Sequence, residues 1–172
     1  MNNRKGIYDL LYWALIEIRL ETATEDGNIA PGYTRIWQLS HLMHNIPSKL
    51  FRAEAVDDYV KILDDITESF SALNLRNWLD EILTSNGTGG QKEALHILLN
   101  QAFGDVRVDA ELTTNKKIVA ICQLLHGVSL RLASAETDSD YQHIIDDIRK
   151  KSESIKIARW VEKVFSYETT EG

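Results

Sequence analysis

The chain has 172 residues and a formal net charge of −7, and 44% of its residues are apolar while 26% are charged. This composition is typical of a globular protein with a sizeable core, and it excludes extensive disorder. The acidic balance disfavours a broad nucleic-acid-binding surface, which requires a basic face. The longest uninterrupted apolar run covers residues 10–16, which is far shorter than the ~20 residues that span a bilayer. We expect a protein that binds neither nucleic acid nor a membrane.

The basic N-terminus, MNNRKG, precedes an apolar stretch, as in a signal peptide. Asp9 and Glu17 interrupt that stretch, and no small-residue cleavage site follows it. We therefore interpret residues 7–22 as the first helix of a cytoplasmic protein. Three aromatic residues widen the apolar surface of this helix: Tyr8, Tyr12 and Trp13.

The spacing of apolar residues predicts helices over the rest of the first half as well. The three further helices are expected at residues 33–46, 55–72 and 75–83. Both prolines of the chain, Pro31 and Pro47, fall where a helix begins or ends. The clearest linker follows at residues 85–90, with the sequence SNGTGG.

After the linker the same order of four helices is expected, at residues 91–103, 114–132, 138–151 and 155–165. Residues 105–112 alternate weakly between apolar and polar, and we interpret them as a short extended connection. The single cysteine, Cys122, lies in the apolar run IVAICQLL. One cysteine forms neither an internal disulfide nor a thiolate metal site, so we expect Cys122 to be a buried apolar residue.

The strongest signal in the sequence is an internal repeat with an offset of 82 residues. Residues 42–65 match residues 124–147 without a gap. Distinctive residue types recur at the same places in both copies: His44 and His126, Ala53-Glu54 and Ala135-Glu136, Asp58-Tyr59 and Asp140-Tyr141, Asp64-Asp65 and Asp146-Asp147, and Trp78 and Trp160. Self-similarity at a fixed spacing is the signature of a duplicated structural unit.

The repeat predicts an all-α fold, a helical bundle made of two tandem, pseudo-symmetric four-helix units. The first unit covers residues 1–84, the Gly-rich linker residues 85–90, and the second unit residues 91–172. A unit of this size has a marginal core alone. We therefore expect the two units to pack as one compact domain around a pseudo-two-fold axis, as in a homodimer.

Residues that occur in both copies have structural explanations. We expect the shared tryptophan and tyrosine pairs to pack in the core or between the units. Asp57, Asp58 and Asp140 lie near predicted helix N-termini, where carboxylates complement the helix dipole. His44 and His126 lie near the end of the second helix of each unit, where an imidazole can bond the last carbonyls.

A metal-dependent phosphohydrolase-like enzyme is one interpretation of the first copy. Its candidate catalytic residues are His41, His44, Asp64 and Asp65, and its candidate metal ligands are His44, Asp64, Asp65 and Glu68. Histidines and carboxylates on antiparallel helices occur in di-metal bundles, and Asp-Asp-x-x-Glu can hold Mg²⁺ against a diphosphate.

The pattern of this candidate site departs from known metal motifs. Asn45 follows His44, where helical phosphohydrolases of the HD type carry aspartate. His41 corresponds to Gln123 in the second copy. The Glu-x-x-His spacing of di-iron bundles occurs once, at Glu93–His96, instead of on two helices. Motifs for nucleophilic catalysis or for a phosphate-binding loop are missing, so the preferred interpretation includes no cofactor.

The preferred interpretation is a non-enzymatic helical protein-binding module, such as an adaptor, a regulator or an immunity/antitoxin-like inhibitor. It would act on another protein through its acidic surface or the groove between the repeats, and a basic protein is one option for that partner. The chain would be a monomer containing an intrachain pseudo-dimer, or a homodimer. The candidate binding residues are Trp37, His41, His44 and Asn45, at the end of the second helix. Trp37 stands where the second copy has Val119, and residues without a counterpart favour a specialised site.

Overall fold

The computed structural model of the chain describes residues 2–85 and 90–167. These ranges contain ten α-helices and no β-strand, so the all-α prediction is confirmed. The helices of the first half are α1 (Asn3–Glu21), α2 (Thr34–Met43), α3 (Ile46–Arg52), α4 (Val56–Ala72) and α5 (Arg76–Ser85). Those of the second half are α6 (Gln91–Leu112), α7 (Lys116–Leu125), α8 (Val128–Ser134), α9 (Asp138–Ser154) and α10 (Ala158–Ser166).

Two short helices were not expected. Helix α3 begins at the point where the second helix was expected to end, and Pro47 lies in its first turn, where a missing N–H costs nothing. In the second half, the single helix expected at residues 114–132 is two helices, α7 and α8. Gly127 separates them with φ of +79°, a conformation that glycine adopts without strain.

The prediction of an extended connection at residues 105–112 was wrong. Helix α6 continues through this segment to Leu112. Phe103, Val106 and Ala110 are buried at helical spacing, so the segment adds about two turns to the helix and extends its apolar face. Of the linker at residues 85–90, positions 86–89 lie outside the described residues, and the division of the chain into units at 84 and 91 stays a prediction.

Helices α1 and α6 form the centre of the fold. Helix α1 packs against α2 and α3 of its own half and against α9 and α10 from the end of the chain. Helix α6 packs correspondingly against α7 and α8 and against α4 and α5. Each half therefore contributes its last two helices to the core around the first helix of the other half.

The helices that follow α1 and α6 recur at a constant spacing. Helices α7, α8 and α9 begin and end 82 residues after α2, α3 and α4. Asn74 and Lys156, also 82 residues apart, both adopt left-handed conformations, with φ of 60° and 65°. The hydroxyl groups of Tyr59 and Tyr141 donate to the carbonyls of Ala53 and Ala135, over 3.3 and 3.2 Å. The shared tyrosines thus fix the same turn in both halves.

The two central helices correspond at a different spacing of 88 residues. Seven buried positions of α1, namely Ile7, Tyr8, Leu10, Leu11, Ala14, Leu15 and Ile18, coincide at this offset with seven buried positions of α6, namely Leu95, His96, Leu98, Leu99, Ala102, Phe103 and Val106. The change of offset arises because the connection from α1 to α2 is longer than the connection from α6 to α7.

Two hydrogen bonds join residues that correspond to each other. The Tyr8 hydroxyl lies 3.0 Å from Nε2 of His96, which is 88 residues later. The side-chain amide of Asn115 donates to the hydroxyl of Tyr33, which is 82 residues earlier, over 3.1 Å. Both contacts join positions at the spacings that relate the helices of the two halves.

The stretch Lys116–Ser134 is long and apolar enough, by length and composition alone, to cross a membrane. Polar residues such as Gln123 and His126 interrupt this stretch, so it contains no long uninterrupted apolar run. In the fold this stretch comprises α7 and α8, and 44% of its most apolar window is buried. Cys122 lies within it and is buried, as expected, and burial raises the pKa of its thiol to about 12.

The start of α4 lacks a cap that the start of α9 has. Thr137 accepts a hydrogen bond from the backbone N–H of Asp140 over 3.1 Å, whereas the corresponding residue, Ala55, has no side-chain acceptor. The backbone conformations of the two residues are nearly the same. We expect Ala55→Thr to raise the free energy of unfolding by about 1 kcal/mol, and Thr137→Ala to lower it by a similar amount, in urea titrations. An unchanged stability in both variants would contradict this account of the caps.

Candidate functional site: an aromatic stripe across three helices

Rings from three helices lie in one row, which we call the aromatic stripe. Its members, in spatial order, are Trp37, His41 and His44 of α2 and its C-cap, Tyr12 and Trp13 of α1, and Tyr167 at the end of α10. Consecutive ring centroids are 4.7, 5.8, 6.3, 5.2 and 5.1 Å apart. Every ring is partly exposed, so the stripe lies at the surface and not in the core.

Helix α2 places three of these rings on one face because they are spaced at i, i+4 and i+7. The opposite face carries the residues that pack inward: Ile36, Leu39, Ser40 and Met43. The rings of Trp37 and His41 are parallel to within 8°, so each covers one face of the other. The fold therefore holds both rings in place without burying them.

Arg19 of α1 joins the stripe at His41. Its Nη1 lies 3.2 Å from Nδ1 of His41. A guanidinium only donates, so Nδ1 accepts and the proton of the neutral imidazole is on Nε2. Burial, followed by the nearby charges of Arg19 and His44, lowers the pKa of His41. His41 is thus held neutral beside a cation, with its Nε2–H available as a donor.

His44 has the helix-end contact expected from the sequence. Its Nδ1 bonds the carbonyl of His41 on the preceding turn, while its ring also faces Tyr12. Its counterpart His126, at the C-cap of α7, is exposed. One histidine of the shared pair therefore belongs to the stripe and the other does not.

The corresponding surface of the second half has no such row. Trp37 and His41 correspond to Val119 and Gln123, and Tyr12 and Trp13 correspond at the 88-residue offset to Asn100 and Gln101. Asn100 accepts from the backbone N–H of Gly127, and Gln101 donates to Asp105. The second half thus packs the equivalent helices with polar and aliphatic side chains at these positions, although Trp13 and Tyr167 of the stripe also contact the core.

A cleft of about 240 Å³ borders the stripe between α2, α3 and α4. Three of the four predicted binding residues, His41, His44 and Asn45, line it. Trp37, the fourth, lies on the stripe instead. The apolar lining residues are Leu42, Ile46 and Ile66, and the polar residues facing them are Lys49, Asp65 and Ser69. The structure therefore brings the predicted binding residues onto one continuous surface.

Only some of the candidate residues of the metal-site interpretation line this cleft. Asp65 lines the same cleft as His41 and His44, and Lys49 lies 3.9 Å from its carboxylate. Asp64 and Glu68 are exposed and do not line the cleft. Over residues 2–85 and 90–167, no group of three or more His, Cys, Asp or Glu side chains is placed to hold a metal ion.

The histidine of the Glu93–His96 pair has another role. His96 is fully buried, and its Nδ1–H donates to the carbonyl of Lys92 over 2.8 Å. Its Nε2 therefore accepts from Tyr8. Burial lowers the pKa of His96 to about 4 and raises that of Tyr8 to about 12. The pair is a neutral, satisfied contact between the two central helices.

Four members of the site were missed in the sequence: Tyr12, Trp13, Arg19 and Tyr167. The first two had been interpreted only as a wider apolar surface of the first helix. The signal that identifies the two rings is the absence of aromatic counterparts, and it becomes visible only at the 88-residue offset that relates α1 to α6.

Comparisons with protein-family models, with curated proteins and with solved structures each found no match.

Proposed function

We propose that the chain is a non-enzymatic protein-binding module that holds its partner on the aromatic stripe and the adjoining cleft. The observation that carries the proposal is that the second half has no row of rings equivalent to the stripe. Five of the six rings belong to the first half, and Tyr167 of α10 packs onto them, whereas the equivalent helices of the second half carry no such row. Rings that have no aromatic equivalents in the second half, and that gather at one surface, favour a binding role.

The composition of the stripe also supports binding to a protein. Tryptophan, tyrosine and arginine are the residues that most often dominate the binding energy of protein interfaces. The stripe and its flank contain all three. Partly exposed rings that are already held by neighbours lose little conformational freedom when a partner covers them, which lowers the cost of association.

We further propose that the chain arose by internal duplication and consists of two pseudo-symmetric units. The 82-residue spacing of three consecutive helices supports this, as do the paired tyrosine contacts and the left-handed residues at matching positions. The hydrogen bonds between counterparts, Tyr8 with His96 and Tyr33 with Asn115, support a pseudo-two-fold axis near these residues. Each unit would contain five helices, one more than the sequence predicts, because α3 and α8 are separate.

The acidic face of α4 is a second element of the proposal. Five carboxylate side chains on this helix are exposed: Asp57, Asp58, Asp64, Asp65 and Glu68. Asp65 also lines the cleft beside the stripe. Exposed carboxylates at the margin of an interface increase the association rate with a basic surface more than they increase affinity. A basic patch on the partner, facing α4, would therefore speed encounter.

The experiment that tests the binding role is affinity capture from the native host with three forms of the full chain. These are the wild type, a variant with Trp37→Ala and His41→Ala, and a matched control with Val119→Ala and Gln123→Ala. We expect one protein to be retained in stoichiometric amounts by the wild type and the control and to be lost with the stripe variant. Equal capture by all three forms would contradict binding through the stripe.

A further inference from the structure

Arg19 differs from its counterpart in how its charge is balanced. At the 88-residue offset Arg19 corresponds to Arg107, whose Nε is 3.0 Å from the carboxylate of Glu111, one turn later on α6. The residue one turn after Arg19 is Ala23. In the described ranges Arg19 has no carboxylate partner, and its one side-chain hydrogen bond is to His41. The stripe therefore carries a cation that has no ion-pair partner among the described residues.

The groups beside Arg19 are donors as well. Because Nδ1 of His41 accepts from Arg19, its Nε2–H remains to donate. Among the described residues, the indole N–H of Trp37 makes no hydrogen bond, whereas the indole N–H of Trp78 donates to the carboxylate of Asp105. Trp37 and Arg19 both adjoin the His41 ring. Hydrogen-bond donors of Arg19, His41 and Trp37 thus lie close together, with too few acceptors among the described residues to pair with all of them.

We propose that the stripe recognises a peptide segment of its protein partner in which an aspartate or glutamate lies close to a large apolar side chain. The carboxylate would bond the guanidinium of Arg19 and the donors beside it, and the apolar side chain would pack on Trp37 and Tyr12. A guanidinium with free N–H groups pairs well with a carboxylate, which accepts two parallel hydrogen bonds. This inference rests on the proposed binding function and adds the chemistry of the partner.

Charge complementarity favours this occupant over a basic segment. A lysine or arginine laid on the stripe would face Arg19, with no carboxylate among the stripe residues to receive it. Of the exposed carboxylates of α4, Asp65 lines the same cleft as His41 and His44. A segment that places its acidic residue on Arg19 and a basic residue near α4 would be complementary in charge to both sides of the site.

The probe that tests the inference is a library of random 12-residue peptides displayed on phage and selected on the folded full chain. We expect enriched peptides to carry Asp or Glu within four residues of an aromatic or large aliphatic residue. An Arg19→Gln variant should bind these peptides roughly 10- to 100-fold more weakly. The matched control, Arg107→Gln, should bind them as the wild type does, since Arg107 is on the half without the stripe.

Two further measurements distinguish a failure of the carboxylate inference from a failure of the proposed binding function. Raising the salt concentration from 50 to 300 mM should weaken binding to the wild type and leave binding to Arg19→Gln nearly unchanged. Enriched peptides that require Trp37 but lack an acidic residue would overturn the carboxylate inference and leave the binding function standing. Peptides that bind a Trp37→Val and His41→Gln variant as well as the wild type would overturn both. Thermal unfolding of each variant shows that it remains folded.

Discussion

Acid is expected to destabilise the protein well above the pH at which carboxylates titrate, because of His96. Its pKa falls from 6.5 to about 4 on folding, mainly because the imidazole is buried. The unfolded chain therefore binds a proton in this range that the folded chain does not. The contribution of neutral His96 is complete above pH 6.5 and is lost progressively as the pH falls toward 4. The difference between the two pKa values corresponds to about 3 kcal/mol.

Urea titrations between pH 7 and pH 4 measure this effect. We expect the free energy of unfolding to fall by about 3 kcal/mol in the wild type and by much less in His96→Gln, which has no titrating group at this position. His126→Gln, which changes an exposed histidine, should keep the wild-type slope. The pKa of His41 is also lowered, so His41→Gln is measured in parallel to separate its smaller contribution of the same sign. A His96→Gln variant with the wild-type slope would contradict the assignment.

The largest effect of a single core substitution is expected at Phe70. Its side chain is fully buried, and its ring stacks on Trp78 with centroids 5.4 Å apart. Trp78 in turn donates to Asp105 of α6. Phe70 thus holds α4 and α5 against the central helix of the other half. Removing the ring leaves a cavity that these helices cannot close without breaking the Trp78 contact.

We expect Phe70→Ala to lower the free energy of unfolding by about 4 kcal/mol in urea titrations at pH 7. Its counterpart at the 82-residue offset is Ser152, which is also buried but bonds the carbonyl of Arg149 within its own helix. Ser152→Ala, the matched control, should cost about 1 kcal/mol or less. A loss below about 1 kcal/mol for Phe70→Ala would show that the core repacks around this position.

The sequence predicted the helices well where apolar residues recur at one consistent spacing, as in α1, α4 and α5. It failed over residues 105–112 because Val108 is apolar but largely exposed, at 56%. Together with Val106 and Ala110 it creates a false alternation that conceals the helical spacing of the buried pair. Which apolar residues face solvent is decided by packing against other helices, and one sequence does not contain that information.

The candidate site was predicted in part. Trp37 and His41 were identified because their counterparts in the repeat, Val119 and Gln123, have a different chemistry. The two rings of α1 were missed because the longer connection after α1 changes the offset, which hides their counterparts. Arg19 was missed because its counterpart, Arg107, is also an arginine. That His41 accepts from Arg19 depends on the distance between α1 and α2. Such a contact between separate helices could not be derived from spacing along the chain.

The most direct test of whether the stripe serves binding and not folding is a variant in which stripe residues of α2 are replaced by their counterparts from the other half. In the variant Trp37→Val with His41→Gln, α2 receives the side chains that α7 has at the same places. We predict that its free energy of unfolding falls by less than about 2 kcal/mol, while its affinity for the captured partner falls about 100-fold or more. A variant that unfolds readily yet binds the partner with unchanged affinity would show that the rings are structural and would contradict the proposed function.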